Sequence, residues 1–216
     1  MNQQNQPPVL CIGITGGIGS GKSYICQQLE ATGHTVFYCD KEAKNIIRHD
    51  PEVMDKLREL VGPDVYNEKG ELVKSVLAAF LCKGKNFSRQ VDAIVHPKVA
   101  EAFHQKALAM GAVIEQRCST PNHTTTCAQL KGEIELENLQ QMPPANTLFM
   151  ECALLFESGF DILVDASVLV HVSAETQITR LMNRDQISRE KAQAWIDLQL
   201  SEAEKMQRAT AYLINE

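Results

Sequence analysis

The chain has 216 residues and a mass of 24.0 kDa, enough to bury one proper core as a single domain or a domain with a small lid. A composition of 44% hydrophobic and 22% charged residues excludes wholesale disorder, and a formal net charge of −6 excludes a general nucleic-acid binder, which needs a basic face. No apolar stretch approaches the roughly 20 residues that span a bilayer, and Met1–Pro8 lacks the Lys and Arg of a signal peptide, so a cytoplasmic protein without a membrane partner is expected.

After that N-terminal tail, Val9–Thr15 reads as a buried strand. It runs directly into Gly16-Gly17-Ile18-Gly19-Ser20-Gly21-Lys22-Ser23, ahead of a helix to about Ala31. Strand, glycine-rich turn and helix in that order are the setting of a phosphate-binding P-loop, and every fixed position of G-x-x-x-x-G-K-[ST] is filled. Glycine lets the backbone take positive φ and approach a polyphosphate. Successive N–H groups then converge at the positive end of the new helix. In that reading Gly17, Ile18, Gly19, Ser20 and Gly21 line the cradle, Lys22 reaches the terminal phosphates, and Ser23 offers a hydroxyl to a magnesium ion. The plainer alternative, a glycine-rich turn that happens to match, has the flanking strand and helix against it.

Thr35–Asp40 reads as a second buried strand, parallel to the first through a βαβ unit. Asp40 closes it, where ligands of open α/β sheets bind; its structural alternative is an N-cap for a helix starting at Lys41. Helices follow. Lys41–His49 carries Ala43, Ile46 and Ile47 on one side. Asp50-Pro51 reads as an N-cap with proline at the first helical position, opening a helix that ends near Gly62. Asn67–Gly70 is a turn. Val76, Leu77, Phe80 and Leu81 mark a further helix that breaks at Lys83-Gly84-Lys85. Val91, Ile94 and Val95 mark another, ahead of His96-Pro97 and a helix to about Met110. His96 reads either as a substrate contact or as a hydrogen bonder at a helix junction, and the residue alone favours the second.

Ala112–Glu115 looks like the start of a strand, and residues 116–147 turn polar, without periodicity, as a surface insertion. The seven cysteines are scattered, with no C-x-x-C pair, which argues against a disulfide framework or a common zinc site. Cys118, His123 and Cys127 lie close together but show no fourth ligand. Ordered core resumes at Leu148–Phe156, with Glu151 an acid inside an apolar run, where it needs a cation or a ligand. Ala166–Val172 is a buried strand, and Ser173 caps a helix that carries Arg180 and Arg184 on one face. These arginines, with Arg189, either neutralise a transferring phosphoryl group or form a solvated face that complements the helix dipole. Ser188 caps the next helix, Ser201-Glu202-Ala203-Glu204 matches a capping box, and Ala211–Ile214 is a last strand.

Taken together, these segments make the chain resemble the dephospho-CoA kinase family along almost its whole length. Thr15–Ser23 matches that family's P-loop, and Tyr38-Cys39-Asp40 falls where it has an acid closing strand two. Ile94-Val95-His96-Pro97 is similar to its Leu-Leu-His-Pro turn, and Leu154-Leu155-Phe156-Glu157 to its Leu-Leu-Phe-Glu. Arg180–Asp185 with Ser188, Glu190, Ala192 and Gln199 is similar to its lid. The departures are Glu151-Cys152-Ala153 in place of Asp-x-Pro, a longer 116–147 segment, Ala209-Thr210 in place of Ala-Asp, and an end at Glu216 where family members continue.

The resemblance implies a three-layer α/β fold with a mostly parallel five-stranded sheet. Residues 9–45 and 148–216 would form the nucleotide-binding core, with a lid at about 180–192 and a helical substrate-binding region at 46–110. It implies ATP and Mg²⁺ as cofactors and dephospho-CoA as the acceptor. Lys22, Asp40 and Arg184 would be catalytic, with Arg180 on the nucleotide and Asp40, His96, Glu151 and Leu154 on the substrate. The oligomeric state is not legible in the residues, and a monomer is the expected form. The rival readings are another small-molecule P-loop kinase and a regulatory GTP switch, the latter opposed by the lack of an Asn-Lys-x-Asp segment.

Overall fold

The computed structural model describes residues 9–112 and 130–216, which fall into two compact units, Cys39–Gln105 and the remainder. The expected strand at Ala112–Glu115 and the Cys118, His123 and Cys127 group lie outside the described residues, apart from Ala112.

The larger unit is built on one sheet. In chain order its elements are β1 (Leu10–Thr15), α1 (Lys22–Ala31), β2 (Thr35–Tyr38), β3 (Gly132–Glu133), β4 (Thr147–Glu151), β5 (Ala166–His171) and β6 (Ala211–Ile214), with helices in the second half described below. The strands lie in the order β2-β4-β1-β5-β6-β3 and every pairing is parallel. All six carboxyl ends therefore share one edge. β1, β4 and β5 are buried almost throughout and read as continuous apolar runs, as strands covered on both faces do. Ile12, Ile14, Leu29, Phe149, Val168 and Leu213 belong to a single core cluster.

Among the described residues the sheet has six strands, not five. The added edge strand β3 lies in the segment read as a surface insertion, and residues 130–147 are structured. Leu130, Ile134, Leu139 and Met142 join the core, around a helix at Leu136–Gln140. A two-residue strand has no alternation to detect, and one apolar residue every few positions in a polar stretch is weak periodicity. Tertiary packing supplies the order. Tyr212 contributes twice: its carbonyl accepts from the Ile134 amide and its hydroxyl donates to Glu133 Oε2 at 3.1 Å.

The smaller unit is helical, with α2 (Cys39–His49), α3 (Pro51–Val61), α4 (Lys74–Leu81) and the start of α5 (Lys85–Ala109). Asp50 caps α3, its Oδ1 accepting from the Val53 amide at 3.0 Å ahead of Pro51. The Tyr66 hydroxyl donates to the Ile47 carbonyl, which fastens the chain after α3 to α2. Two sequence expectations fail here. β2 stops at Tyr38 and α2 starts at Cys39, because Cys39 and Ile46 are its buried positions; Asp40 is thus in the first turn of a helix, where an acid suits the dipole, and not at the end of a strand. His96-Pro97 is no turn either. α5 runs 25 residues straight through Pro97, held by a stripe at Val91, Val95, Val99, Phe103 and Ala107, all buried. Burial at strict four-residue spacing outweighs the lost backbone hydrogen bond.

Candidate functional site

The Gly16–Ser23 turn begins where β1 ends and stands at the carboxyl edge of the sheet. Gly16, Gly19 and Gly21 have φ of +152°, +85° and +90°, a region that side chains oppose. At Gly16 a Cβ would lie 2.5 Å from the Val170 carbonyl oxygen, so the loop's approach to β5 requires glycine. The turn closes with Ser20 N–H donating to the Gly17 carbonyl at 3.0 Å. The first hydrogen bonds of α1 run from Tyr24 and Ile25 to the Gly21 carbonyl, so the amides ahead of them stand at a helix N-terminus of the kind that binds anions.

Lys22 is buried, and its Nζ donates to the carbonyls of Gly16 at 2.9 Å and Gly17 at 3.0 Å. Its cation is thus folded over the mouth of its own loop. The Thr15 and Ser20 hydroxyls are buried there with no hydrogen-bond partner among the described residues, a costly state in a finished core. Left-handed glycines, a helix N-terminus, a folded-over ammonium and unsatisfied hydroxyls fit a polyphosphate. Ser23, exposed in the first turn of α1, fits a metal accompanying it.

The loop is held from behind by the second half of the chain, which carries α7 (Ala174–Asp185), α8 (Arg189–Ile196) and α9 (Glu202–Arg208), numbering Leu136–Gln140 as α6. Gln177 Nε2 donates to the Ile18 carbonyl at 2.6 Å and Ile18 N–H donates to Gln199 Oε1 at 2.8 Å. Asn215 Nδ2 and Arg180 Nη1 both donate to the Ser20 carbonyl, at 2.8 and 3.4 Å. The Ile18 side chain packs with Ile178, Leu181 and Ala192 of the two helices. Next to Gln199, the Leu200 amide donates to Glu157 Oε1 at 3.0 Å.

The remaining sequence-predicted residues fall as follows. Glu151 ends β4, is buried, and lies in register with Tyr38 and Ile14, hence on the same sheet edge as the loop. Burial first, then a hydrogen bond to Glu30, push the Tyr38 phenol well above its ordinary value, with the Glu151 charge adding to the effect. Leu154 is exposed in the loop after β4. Arg184 is held not at the loop but by its neighbour, its Nε and Nη2 donating to Asp185 at 2.7–3.1 Å. Arg189 grips Glu175 bidentately at 2.7 Å. In the helical unit, Asp40 is exposed on α2, and His96 on α5 sits 3.6 Å from Asp92. The structure therefore brings Gly16–Ser23, Arg180 and Glu151 to one edge of the larger unit.

Sequence reasoning assigned no role to Gln177 or Asn215. A glutamine beside Ile178 and Leu181 on the inward face of a helix was a signal for the first. A polar residue just past the end of a buried strand was one for the second.

A parallel sheet with a glycine-rich loop between its central strand and the following helix defines an α/β protein of the P-loop kind, built to seat a polyphosphate. The family model described as dephospho-CoA kinase matches residues 10–116 and 129–216. The dephospho-CoA kinase of Bacteroides fragilis YCH46 is 35% identical over 205 residues, 95% of this chain and 84% of the relative; that of Geobacillus kaustophilus is 31% identical over 206 residues, 95% and 88%. The crystal structure of TT1252 from Thermus thermophilus superposes with a TM-score of 0.69 at 27% identity, over 97% of this chain and 90% of that one. A dephospho-CoA kinase from Campylobacter jejuni shares the fold, with a TM-score of 0.60 at 20% identity, over 95% and 87%. The chain belongs to the dephospho-CoA kinase family.

Proposed function

We propose that the chain transfers the terminal phosphoryl group of ATP to the ribose 3′-hydroxyl of dephospho-CoA, giving coenzyme A and ADP. The observation that carries this reading is the Gly16–Ser23 cradle, with Lys22 folded over it, in a chain that matches the family along nearly its full length. A bound polyphosphate offers the Lys22 ammonium stronger acceptors than the carbonyls of Gly16 and Gly17, because anionic acceptors make the stronger hydrogen bonds. Lys22 then stabilises the charge spread over the transferring group. Ser23 would hold Mg²⁺, which neutralises phosphate charge and orients the chain of phosphates.

Arg180 already touches the loop at the Ser20 carbonyl, and its charge supports phosphate binding there. Arg184 is proposed to leave Asp185 and close over the transferring group as the lid, about residues 180–192, excludes water. Asp40 lies two residues beyond the end of β2, exposed; it is proposed to orient the acceptor hydroxyl and take its proton. Glu151, His96 and the exposed Leu154 are proposed as substrate contacts, with the helical region 46–110 receiving dephospho-CoA. A cytoplasmic monomer is the form proposed; separately, no helix among the described residues is long and apolar enough to cross a membrane.

The test is ADP release with purified protein against a panel of acceptors: dephospho-CoA, a nucleoside monophosphate and a sugar, each with ATP and with GTP. Turnover with dephospho-CoA and ATP is the expected result. Turnover confined to another acceptor overturns the substrate assignment. Nucleotide binding with no phosphorylation of any acceptor overturns the activity.

A further inference from the structure

We propose that Gln177 and Gln199 are positioning residues: they clamp the backbone N–H and carbonyl of Ile18, and so the two peptide planes that flank it, and thereby preset the P-loop for nucleotide. The inference rests on the reading of the loop as a nucleotide site and gives these two contacts a function in nucleotide binding. Ile18 sits between Gly17 and Gly19, neither of which restrains its own backbone, so the peptide planes at the tip of the loop have little intrinsic reason to hold one orientation. The orientation is imposed from outside. Gln199 Oε1 takes the Ile18 N–H and Gln177 Nε2 gives to the Ile18 carbonyl. The backbone groups fix which end of each amide faces the loop, because an N–H can only donate and a carbonyl can only accept.

The neighbourhood is shaped for this contact. A Cβ on Gly17 would lie 2.3 Å from Gln177 Nε2, and one on Gly19 would lie 3.1 Å from the Gln177 carbonyl oxygen. Gln177 itself is buried. Gln199 stands on the short segment between α8 and α9, and the next residue is anchored to Glu157. Both glutamines also line a cavity of about 450 Å³ with Leu200, Ser201 and Lys205, so that segment is not packed solid and has room to shift. A shift there releases the Ile18 amide. By linkage, a nucleotide that requires the clamped loop must in turn favour the seated segment.

The polarity of the clamp supplies its test. A carboxylate at position 199 still accepts from the Ile18 N–H, whereas a carboxylate at position 177 faces a carbonyl oxygen with no proton to share. Binding of a fluorescent ADP analogue is measured for Gln199→Leu, Gln199→Glu, Gln177→Leu and Gln177→Glu in about 0.5 M salt, which shortens the reach of the added charge to a few ångströms. Hydrogen exchange of the Ile18 amide is followed by NMR, and melting temperatures are recorded. Loss of one such bond is expected to weaken ADP about tenfold in Q199L, Q177L and Q177E. Q199E is expected to stay within about threefold of the parent and to protect the Ile18 amide better than Q199L does. ADP binding by Q199L at the parent level, or Q199E no better than Q199L on both readouts, overturns the proposal. Should Q177E fail to fold, the Q199E and Q199L pair decides. ADP binding reads the clamp without reference to the acceptor, so a failure to phosphorylate dephospho-CoA would strike the functional reading alone.

Discussion

Among single residues, Lys22 and Gly16 carry the sharpest consequences. Lys22→Ala removes the cation that faces the loop carbonyls. It is expected to lower kcat by at least about 100-fold, the scale of a lost charge-stabilising group, while circular dichroism reports an unchanged fold. Gly16→Ala acts differently. Its φ of +152° strains any side chain by about 1–3 kcal/mol, and the backbone oxygen of Val170 cannot step aside as a side chain would. Lower melting temperature and lost ADP binding are expected together; retention of both would show that the loop relaxes at no cost. The P-loop residues were legible because the motif is local: each glycine serves its own φ, and Lys22 is one residue past the last. The backing residues were not, since Gln177 and Asn215 reach the loop from 159 and 195 positions away, and no spacing rule spans that distance.

Elements whose ends carry their own signals were read correctly. Asp50-Pro51, Ser173, Ser188 and the Ser201–Glu204 box all cap the helices expected of them. Ser201→Ala should cost about 1 kcal/mol, the usual value of an N-cap, read as a lower melting temperature. α5 is the opposite case, since a proline preceded by a histidine looks like a junction until burial is known. Pro97 is exposed on a continuous helix, so Pro97→Ala should restore a backbone hydrogen bond and raise stability by up to about 3 kcal/mol, measured by urea unfolding. A loss of stability would mean that the ring itself is packed and required. β3 was missed for want of length: two residues cannot show a period, and its partner strand lies far along the chain, near its C-terminal end.

The molecule as a whole has a predictable response to acid. The Lys56 and Lys98 ammonium groups hold the Glu52 carboxyl at about 2, below its ordinary 4.5. Glu175 and Asp185 are lowered by the hydrogen bonds of Arg189 and Arg184, Glu204 by the Ser201 hydroxyl, and Glu216 by the Thr176 hydroxyl. A carboxylate lowered on folding makes the unfolded state the better proton binder. Its contribution is therefore complete above the ordinary value and is lost as pH falls through the folded value. Melting temperature should stay level down to about pH 5 and fall below it, more gently in high salt because these groups lie at the surface. Lys205 runs the other way: burial lowers its value against the pull of Glu202 and Glu157, so its cost is full below the lowered value and eases as pH climbs through it toward 10.5. By itself, the sequence determined the phosphate loop, the helix caps, the buried strands and the family, because each is written in contiguous residues or in a local period. Only the tertiary structure decided the order of the sheet, the sixth strand, the unbroken α5 and the residues that grip the loop from behind. Those depend on burial and on contacts between distant segments, and such contacts form only when the core closes.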